Sequence, residues 1–279
     1  MELKDWAIIL GIFFLGYTIS SVLHSCPTCL QTNSTINLTN SSQLILDTPN
    51  NFTIASWNLQ IFGVSKASDE ALVKKYTDIM KRYDIIFVQE IRDSTNGAFK
   101  TLCNGMEGYL CKISSRAGRS TSKEQYAVFY KPEVSLIQIV DYNNEELDRW
   151  ERPPVQFRFN VSNDIFSVFV IHVKPDNATE EIKYLKDLTY NLPGKVIILG
   201  DLNADCSYYA ESSKDFADWN WVITDAEDTT VAKTNCTYDR IIVNPEMALQ
   251  VLNYSVMKEV TPEMSDHYLV SAQIGVSGL

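Results

Sequence analysis

Beyond residue 51 the apolar residues of this chain fall into short runs, either continuous or alternating with polar neighbours. Runs of four to eight such positions read as strands. They predict ten: 53–58, 84–90, 125–130, 134–140, 155–159, 165–172, 196–200, 240–243, 249–255 and 267–274. Two stretches break the period of two. Across 67–82, Leu72, Val73, Tyr76, Ile79 and Met80 recur every three or four residues and make one helical face, and Ile182, Leu185 and Leu188 do the same across 177–190. Many strands follow one another directly, so the expected class is α+β, two packed sheets with helices outside, rather than a parallel sheet wound with helices. No glycine-rich phosphate loop and no internal repeat interrupts the pattern.

Ahead of that body the pattern changes. Residues 6–23 are almost continuously apolar, a span of roughly 27 Å if helical and marginally enough to cross a bilayer. Residues 1–28 are therefore expected to be an uncleaved signal-anchor or a signal peptide. Residues 29–51, rich in Asn, Ser and Thr, read as a flexible linker, and residues 52–279 as the folded body. Either leader places the body outside the cytosol, secreted or held at a membrane through its N-terminal segment. Two features agree with that. Asn-x-Ser/Thr triplets begin at Asn33, Asn37, Asn40, Asn51, Asn160, Asn177, Asn235 and Asn253. Six cysteines, an even number, suit disulfides in an exported chain. Cys103 and Cys111 are eight apart, Cys206 and Cys236 thirty apart, and Cys26 and Cys29 lie beside the hydrophobic segment. Zinc is disfavoured, because only one C-x-x-C occurs and no histidine stands near the other cysteines in sequence.

Charge and the rarer residues narrow the chemistry. A net charge of -11 excludes holding nucleic acid by bulk electrostatics. A polyanionic substrate would need metal ions and a local basic patch, which Arg116, Arg119 and Lys123 supply within one Ser/Gly-rich loop. Of three histidines, His172 closes a strand-like run and His267 follows Asp266 at the start of the last one. Asn58, Glu90, Asp201 with Asn203, and Asp239 mark other strand ends. Asp201 and Asn203, two apart, would share one side of an extended chain, whereas Asp266 and His267 would face opposite ways, so that His267 must find its carboxylate elsewhere. Any one of these could be a turn residue. Together they offer hard oxygen ligands suited to Mg²⁺, Mn²⁺ or Ca²⁺ beside two imidazoles that titrate near neutral pH, a mixture that fits metal-assisted phosphoryl transfer.

In order along the chain, Trp57-Asn-Leu-Gln-Ile-Phe-Gly63, Val88-Gln-Glu-Ile-Arg-Asp93, Lys123-Glu-Gln-Tyr126, Gly200-Asp-Leu-Asn-Ala-Asp-Cys-Ser-Tyr208, Thr234-Asn-Cys-Thr-Tyr-Asp-Arg240 and Ser265-Asp-His-Tyr268 resemble the endonuclease/exonuclease/phosphatase superfamily. The stretches around Cys206 and Cys236 look most like its deoxyribonuclease I family, and the resemblance covers about residues 52–274. It implies two mainly antiparallel sheets in a four-layer α/β/β/α sandwich, and a monomeric enzyme that hydrolyses DNA to 5′-phosphate products. His172 and His267 would be the acid/base pair, oriented by Glu124 and Asp239, with Asp201 and Asn203 at the scissile phosphate. Glu90 would hold Mg²⁺ or Mn²⁺, with Asn58 close by and Asp266 completing the environment. Arg92, Arg119 and Arg152 would contact DNA, Cys206 and Cys236 would pair, and a structural Ca²⁺ would sit at Asp228, Thr230 and Thr234. The chain departs from the family at Ser122, where a tyrosine is usual, at Ala232, which replaces a hydroxyl ligand, and in a shorter loop at 144–150. Two rival readings are a phosphodiesterase or phosphatase acting on a lipid or small phosphate ester, and a non-catalytic surface binding protein.

Overall fold

Strand pairing begins at the residue where the linker was expected to end. The computed structural model describes residues 50–144, 146–213 and 215–276; the expected leader, nearly all of the linker, and Cys26 and Cys29 lie outside the described residues. The first half runs β1 (Asn51–Phe62), α1 (Val64–Ala67), α2 (Glu70–Met80), β2 (Ile85–Ile91), α3 (Gly97–Gly105), β3 (Leu110–Ile113), β4 (Gln125–Tyr130) and β5 (Ser135–Asp141). The second runs β6 (Val155–Val161), β7 (Asp164–His172), α4 (Ala178–Thr189), β8 (Lys195–Asp201), β9 (Asn220–Trp221), β10 (Asp239–Val243), α5 (Pro245–Ala248), β11 (Val251–Met257) and β12 (Leu269–Gly275).

Two six-stranded sheets result, in the orders β11-β12-β1-β2-β4-β3 and β5-β6-β7-β8-β10-β9. Each has one parallel pair at its centre, β1 with β2 and β7 with β8, and every other pairing is antiparallel. Between the sheets lies a layer built from Phe52, Ile54, Phe87 and Val128 on one side and Phe157, Val168, Leu199 and Ile241 on the other. The outer face of the first sheet packs on α2 and α3 through Trp57, Tyr76, Ile79 and Leu102, and that of the second on α4 through Phe169, Ile182, Leu185 and Ile198. A fully buried side chain of this size contributes about 1.5–3 kcal/mol.

Local chemistry corrects several expected boundaries. The helix expected over 67–82 is α2, which starts only at Glu70 because the Asp69 side chain accepts from the Leu72 amide, a cap worth about 1 kcal/mol; the short α1 ahead of it was not expected. Strand β3, the two-residue β9 and helices α3 and α5 were not expected at all. The last strand starts at Leu269, two residues later than its apolar pattern suggested. Two disulfides are present, Cys103–Cys111 between α3 and β3, and Cys206–Cys236 between the loops that follow β8 and precede β10. Among the described residues no helix is long and apolar enough to cross a membrane.

Candidate active site

Period-two alternation delivers most of the site. Phe52 and Ile54 of β1 face the inter-sheet layer, and continuing in phase brings Asn58 to the same face. The same count carries Val168 and Val170 on to His172, Ile197 and Leu199 on to Asp201, Ile241 back to Asp239, and Val128 and Tyr126 back to Glu124. All five polar residues are buried at the end of the layer where the apolar residues stop.

Glu90 and His267 are out of phase and need special backbone. In β2, Ile85 and Phe87 face the layer, so Glu90 would point at the helices. A register shift between Val88 and Ile91, with Glu90 at φ +62°, turns it inward, the re-aiming that a bulge performs. His267 would share the outward phase of Leu269, but it precedes β12 and forms only an isolated bridge with Thr230. Its amide donates to Ser265 Oγ at 3.0 Å, and its carbonyl accepts from Trp57 Nε1 at 3.0 Å. Strand alternation therefore does not separate Asp266 from His267: Asp266 Oδ1 stands 3.7 Å from His267 Nε2, on an exposed side chain. Nor does it place Asn203, where the chain has left β8 at φ +48°. A turn brings Asn203 back, its amide donating to Asp201 Oδ1 at 3.2 Å and its Nδ2 to the Val173 carbonyl at 3.0 Å.

The two imidazoles are held alike. His172 Nδ1 lies 2.7 Å from Glu124 Oε1, and His267 Nδ1 lies 2.8 Å from Asp239 Oδ2. Each pair crosses the seam, with the ring on one sheet and its acid on the other. Both Nε2 atoms turn to one oxygen, Asp201 Oδ2, at 3.3 Å from His172 and 3.5 Å from His267. Tyr126 braces His172, its hydroxyl accepting from the His172 amide at 3.0 Å and donating to the Arg152 carbonyl at 3.2 Å. Sequence reasoning gave Tyr126, Trp57 and Ser265 no role; their place inside the conspicuous motifs was the only signal.

Charge explains the proton affinities. Burial disfavours a charged ring at His267, yet Asp239 and Asp201 outweigh it and push the pKa up to about 10. His172 is raised in the same way, burial being overcome chiefly by Glu124. Burial lifts the Asp239 carboxyl to about 6, while Asp201 and Glu124, equally buried, are held low by the rings. The cause is an excess of acid. Among the described residues, two guanidinium groups, those of Arg92 and Arg152, ion-pair within the set of Glu90, Glu124, Asp201 and Asp239, so acids outnumber the arginines beside them when both rings are neutral.

That excess fits a divalent cation, and so does the donor set. Ligand atoms of Glu90, Glu124 and His172 lie within 4.8 Å of one another, as do those of Asp201, Asp239 and His267. Asn58 contributes otherwise than expected. Its Oδ1 accepts from the Gln60 amide at 2.9 Å, and its Nδ2 bridges Glu90 Oε1 at 3.2 Å and Asp201 Oδ2 at 3.0 Å, so it presents a donor rather than an oxygen ligand to the carboxylates.

The arginines differ in availability. Arg92 Nη2 lies 2.9 Å from Glu90 and 3.4 Å from Glu124. Arg152 donates to the His172 and Val173 carbonyls at 2.9 and 3.1 Å. Arg119 is exposed, and its guanidinium pairs with Asp148 at 3.2 Å. The residues expected at a second metal do meet, Thr230 Oγ1 donating to Asp228 Oδ1 at 2.9 Å and to the Thr234 carbonyl. There the Lys258 ammonium donates to the Asp228 carbonyl and stands 3.8 Å from its carboxylate, so a protein cation already serves that loop.

Residues 55–267, a span that includes both imidazole–carboxylate pairs, match the endonuclease/exonuclease/phosphatase family, and the chain belongs to it. A solved endonuclease/exonuclease/phosphatase protein from Bacteroides thetaiotaomicron shares the fold, with a TM-score of 0.61 at 17% identity over 82% of this chain and 99% of that one. Within the family the chain belongs with deoxyribonuclease I. It is 30% identical to deoxyribonuclease-1 of Bos taurus and 32% identical to that of Homo sapiens, in both cases over 79% of this chain and 91% of the relative.

Proposed function

We propose that this chain is a divalent-metal-dependent endonuclease that works outside the cytosol and hydrolyses DNA phosphodiester bonds to leave 5′-phosphates. The carrying observation is the convergence of both Nε2 atoms on Asp201 Oδ2. A phosphate seated against Asp201 and Asn203 has one imidazole on each side. One ring accepts the proton of the attacking water while the other donates to the departing 3′-oxygen, with Glu124 and Asp239 fixing each ring so that Nε2 faces the substrate. Glu90 with Asp201 would hold Mg²⁺ or Mn²⁺, Asn58 spacing them and Asp266 lying at the rim; the ion supplies neutralisation of charge developing on the phosphate. Arg92 and Arg119 are the contacts offered to DNA. Arg152 serves chiefly to fix the His172 strand end. Export is supported by the two disulfides and by the exposure of Asn51, Asn235 and Asn253, each the first residue of an Asn-x-Ser/Thr triplet.

Nicking of supercoiled plasmid by the full chain, with Mg²⁺ or with chelator and beside sphingomyelin hydrolysis, tests the reading. Metal-dependent nicking is expected, with a loss of about 10²–10⁴-fold in His267→Ala and in His172→Ala. Lipid turnover without nicking would assign the site to a lipid phosphodiesterase, and unchanged nicking by His267→Ala would remove the acid/base assignment.

A further inference from the structure

Beside the seam lies a lysine that the catalytic reading leaves unused. Lys66, in the last turn of α1, places its ammonium at the end of β1, where a phosphate-binding lysine would be looked for. Its three N–H groups are all committed to backbone carbonyls: Leu59 at 2.8 Å, Gln60 at 2.6 Å and Met264 at 2.8 Å. An ammonium has three donors and no more, so none remains for a phosphate.

Those carbonyls belong to two different parts of the site. Gln60 and Ile61 both have positive φ, 48° and 55°, a backbone that costs on the order of 1–3 kcal/mol per residue and persists only where neighbours hold it. That conformation aims the Gln60 amide at Asn58 Oδ1 and the Ile61 amide at Glu90 Oε2, at 2.9 and 2.8 Å. Met264 is the first residue of the other segment. Ser265 Oγ next to it donates to the Asn58 carbonyl at 2.6 Å and receives the His267 amide at 3.0 Å. One ammonium thus spans the turn that orients Glu90 and Asn58 and the loop that presents His267.

We infer that Lys66 is a positioning residue which locks the carboxylate cradle to the His267 loop, and that it makes no contact with substrate. The inference rests on the hydrolytic reading above for its kinetic consequence, but not for its structural one. Lys66→Met removes the donors and keeps much of the stem. Lys66→Gln keeps two of the three donors on a shorter, uncharged stem and serves if the first variant folds poorly.

Hydrogen exchange on the full chain without DNA or metal is read first. The amides of Gln60, Ile61 and His267 should exchange at least ~10-fold faster in the variant, while those of β7 and β8 stay at wild-type rates. Unchanged exchange at all three amides overturns the lock, whatever the enzyme does to DNA. Mn²⁺ titration followed by electron paramagnetic resonance should show weaker binding in the variant.

With DNA, kcat should fall by about 10–100-fold at a KM within about twofold, the effect of misplacing groups by a fraction of an ångström. The salt dependence of DNA binding should keep its slope. A raised KM with a slope reduced by about one would mark Lys66 as a phosphate contact and overturn the inference. If the wild-type chain cleaves no DNA, the hydrolytic reading falls while the exchange result still decides the lock.

Discussion

Gly200 offers a sharp test of how the site is assembled, because it stands one residue before Asp201 and opposite Ile171, one residue before His172. Its φ of +139° is rarely adopted by residues with a side chain, and a Cβ built there would lie 1.9 Å from the Ile171 carbonyl oxygen. Ordinary contact begins at 3.4 Å, so Gly200→Ala must part β7 from β8 by about 1.5 Å at this point or break their pairing. Strained backbone of this kind costs about 1–3 kcal/mol and overpacking a similar amount. A loss of about 2–6 kcal/mol is therefore expected, against a total stability of about 5–15. The same displacement acts on the His172–Asp201 contact, where about 1 Å is worth ~10²-fold in rate. Gly194→Ala is the control: its φ is +81° but nothing lies within 4 Å of the added carbon, so only a backbone cost of about 1–2 kcal/mol remains. Urea unfolding followed by tryptophan fluorescence, with plasmid nicking on the same samples, gives both quantities. Equal losses in the two variants, or full activity in Gly200→Ala, would refute the reasoning.

Three further outcomes are expected. Asp93 is pulled down to a pKa of about 2 by the amides of Thr95 and Ala98; a depressed carboxylate stabilises the fold above its unfolded value near 4 and ceases to do so as pH falls towards 2, so Asp93→Asn should flatten the stability profile across that window in denaturant titrations. Opening Cys206–Cys236 should cost about 3–4 kcal/mol and opening Cys103–Cys111 about 2–3, from loops of 30 and 8 residues; single Cys→Ser variants compared by chemical denaturation would reject the loop-length argument if the order reversed. Asp148→Asn should leave stability within about 0.5 kcal/mol, since its pair with Arg119 is exposed, yet tighten DNA binding and steepen its salt dependence by up to about one unit of slope; unaltered binding would show that Arg119 does not face the substrate.

What could be read in advance follows from what alternation encodes. Asn58, His172, Asp201 and Asp239 continue the inward phase of strands whose apolar residues announce them, so both the strands and those polar ends were legible, whereas Glu124 shares the phase but was expected only through the family resemblance. Glu90 and His267 were legible as chemistry but not as geometry, since a left-handed residue at a bulge and an isolated bridge leave no periodic trace. The same limit applies to Asn203, which returns to Asp201 through a turn. Helix α3 carries Ala98, Phe99, Leu102 and Cys103 on one face but is only nine residues long and begins after Asn96 at φ +60° with no side-chain cap to announce it, and β3 is four residues of alternating partial exposure, so both are too short for a clear period. The joining of β1 to β2 and of β7 to β8 in parallel depends on partners far apart in the chain, and no local signal carries it. Asn58 shows a subtler limit, since residue type admits it as an oxygen ligand and only the Gln60 amide decides which end of its side chain faces the carboxylates.

Because each ring and its acid come from opposite sheets, the chain has no half-active form. A nascent polypeptide that has been made as far as His172 still lacks Asp201, Asp239 and His267, and a chain with both sheets formed but undocked has neither ring held by its acid. Under the proposed function, hydrolytic power requires the closing of the sandwich, a set of contacts between residues far apart in the chain. A cell that synthesises such an enzyme is shielded from it for as long as the chain is incomplete, with no inhibitor or pro-segment required.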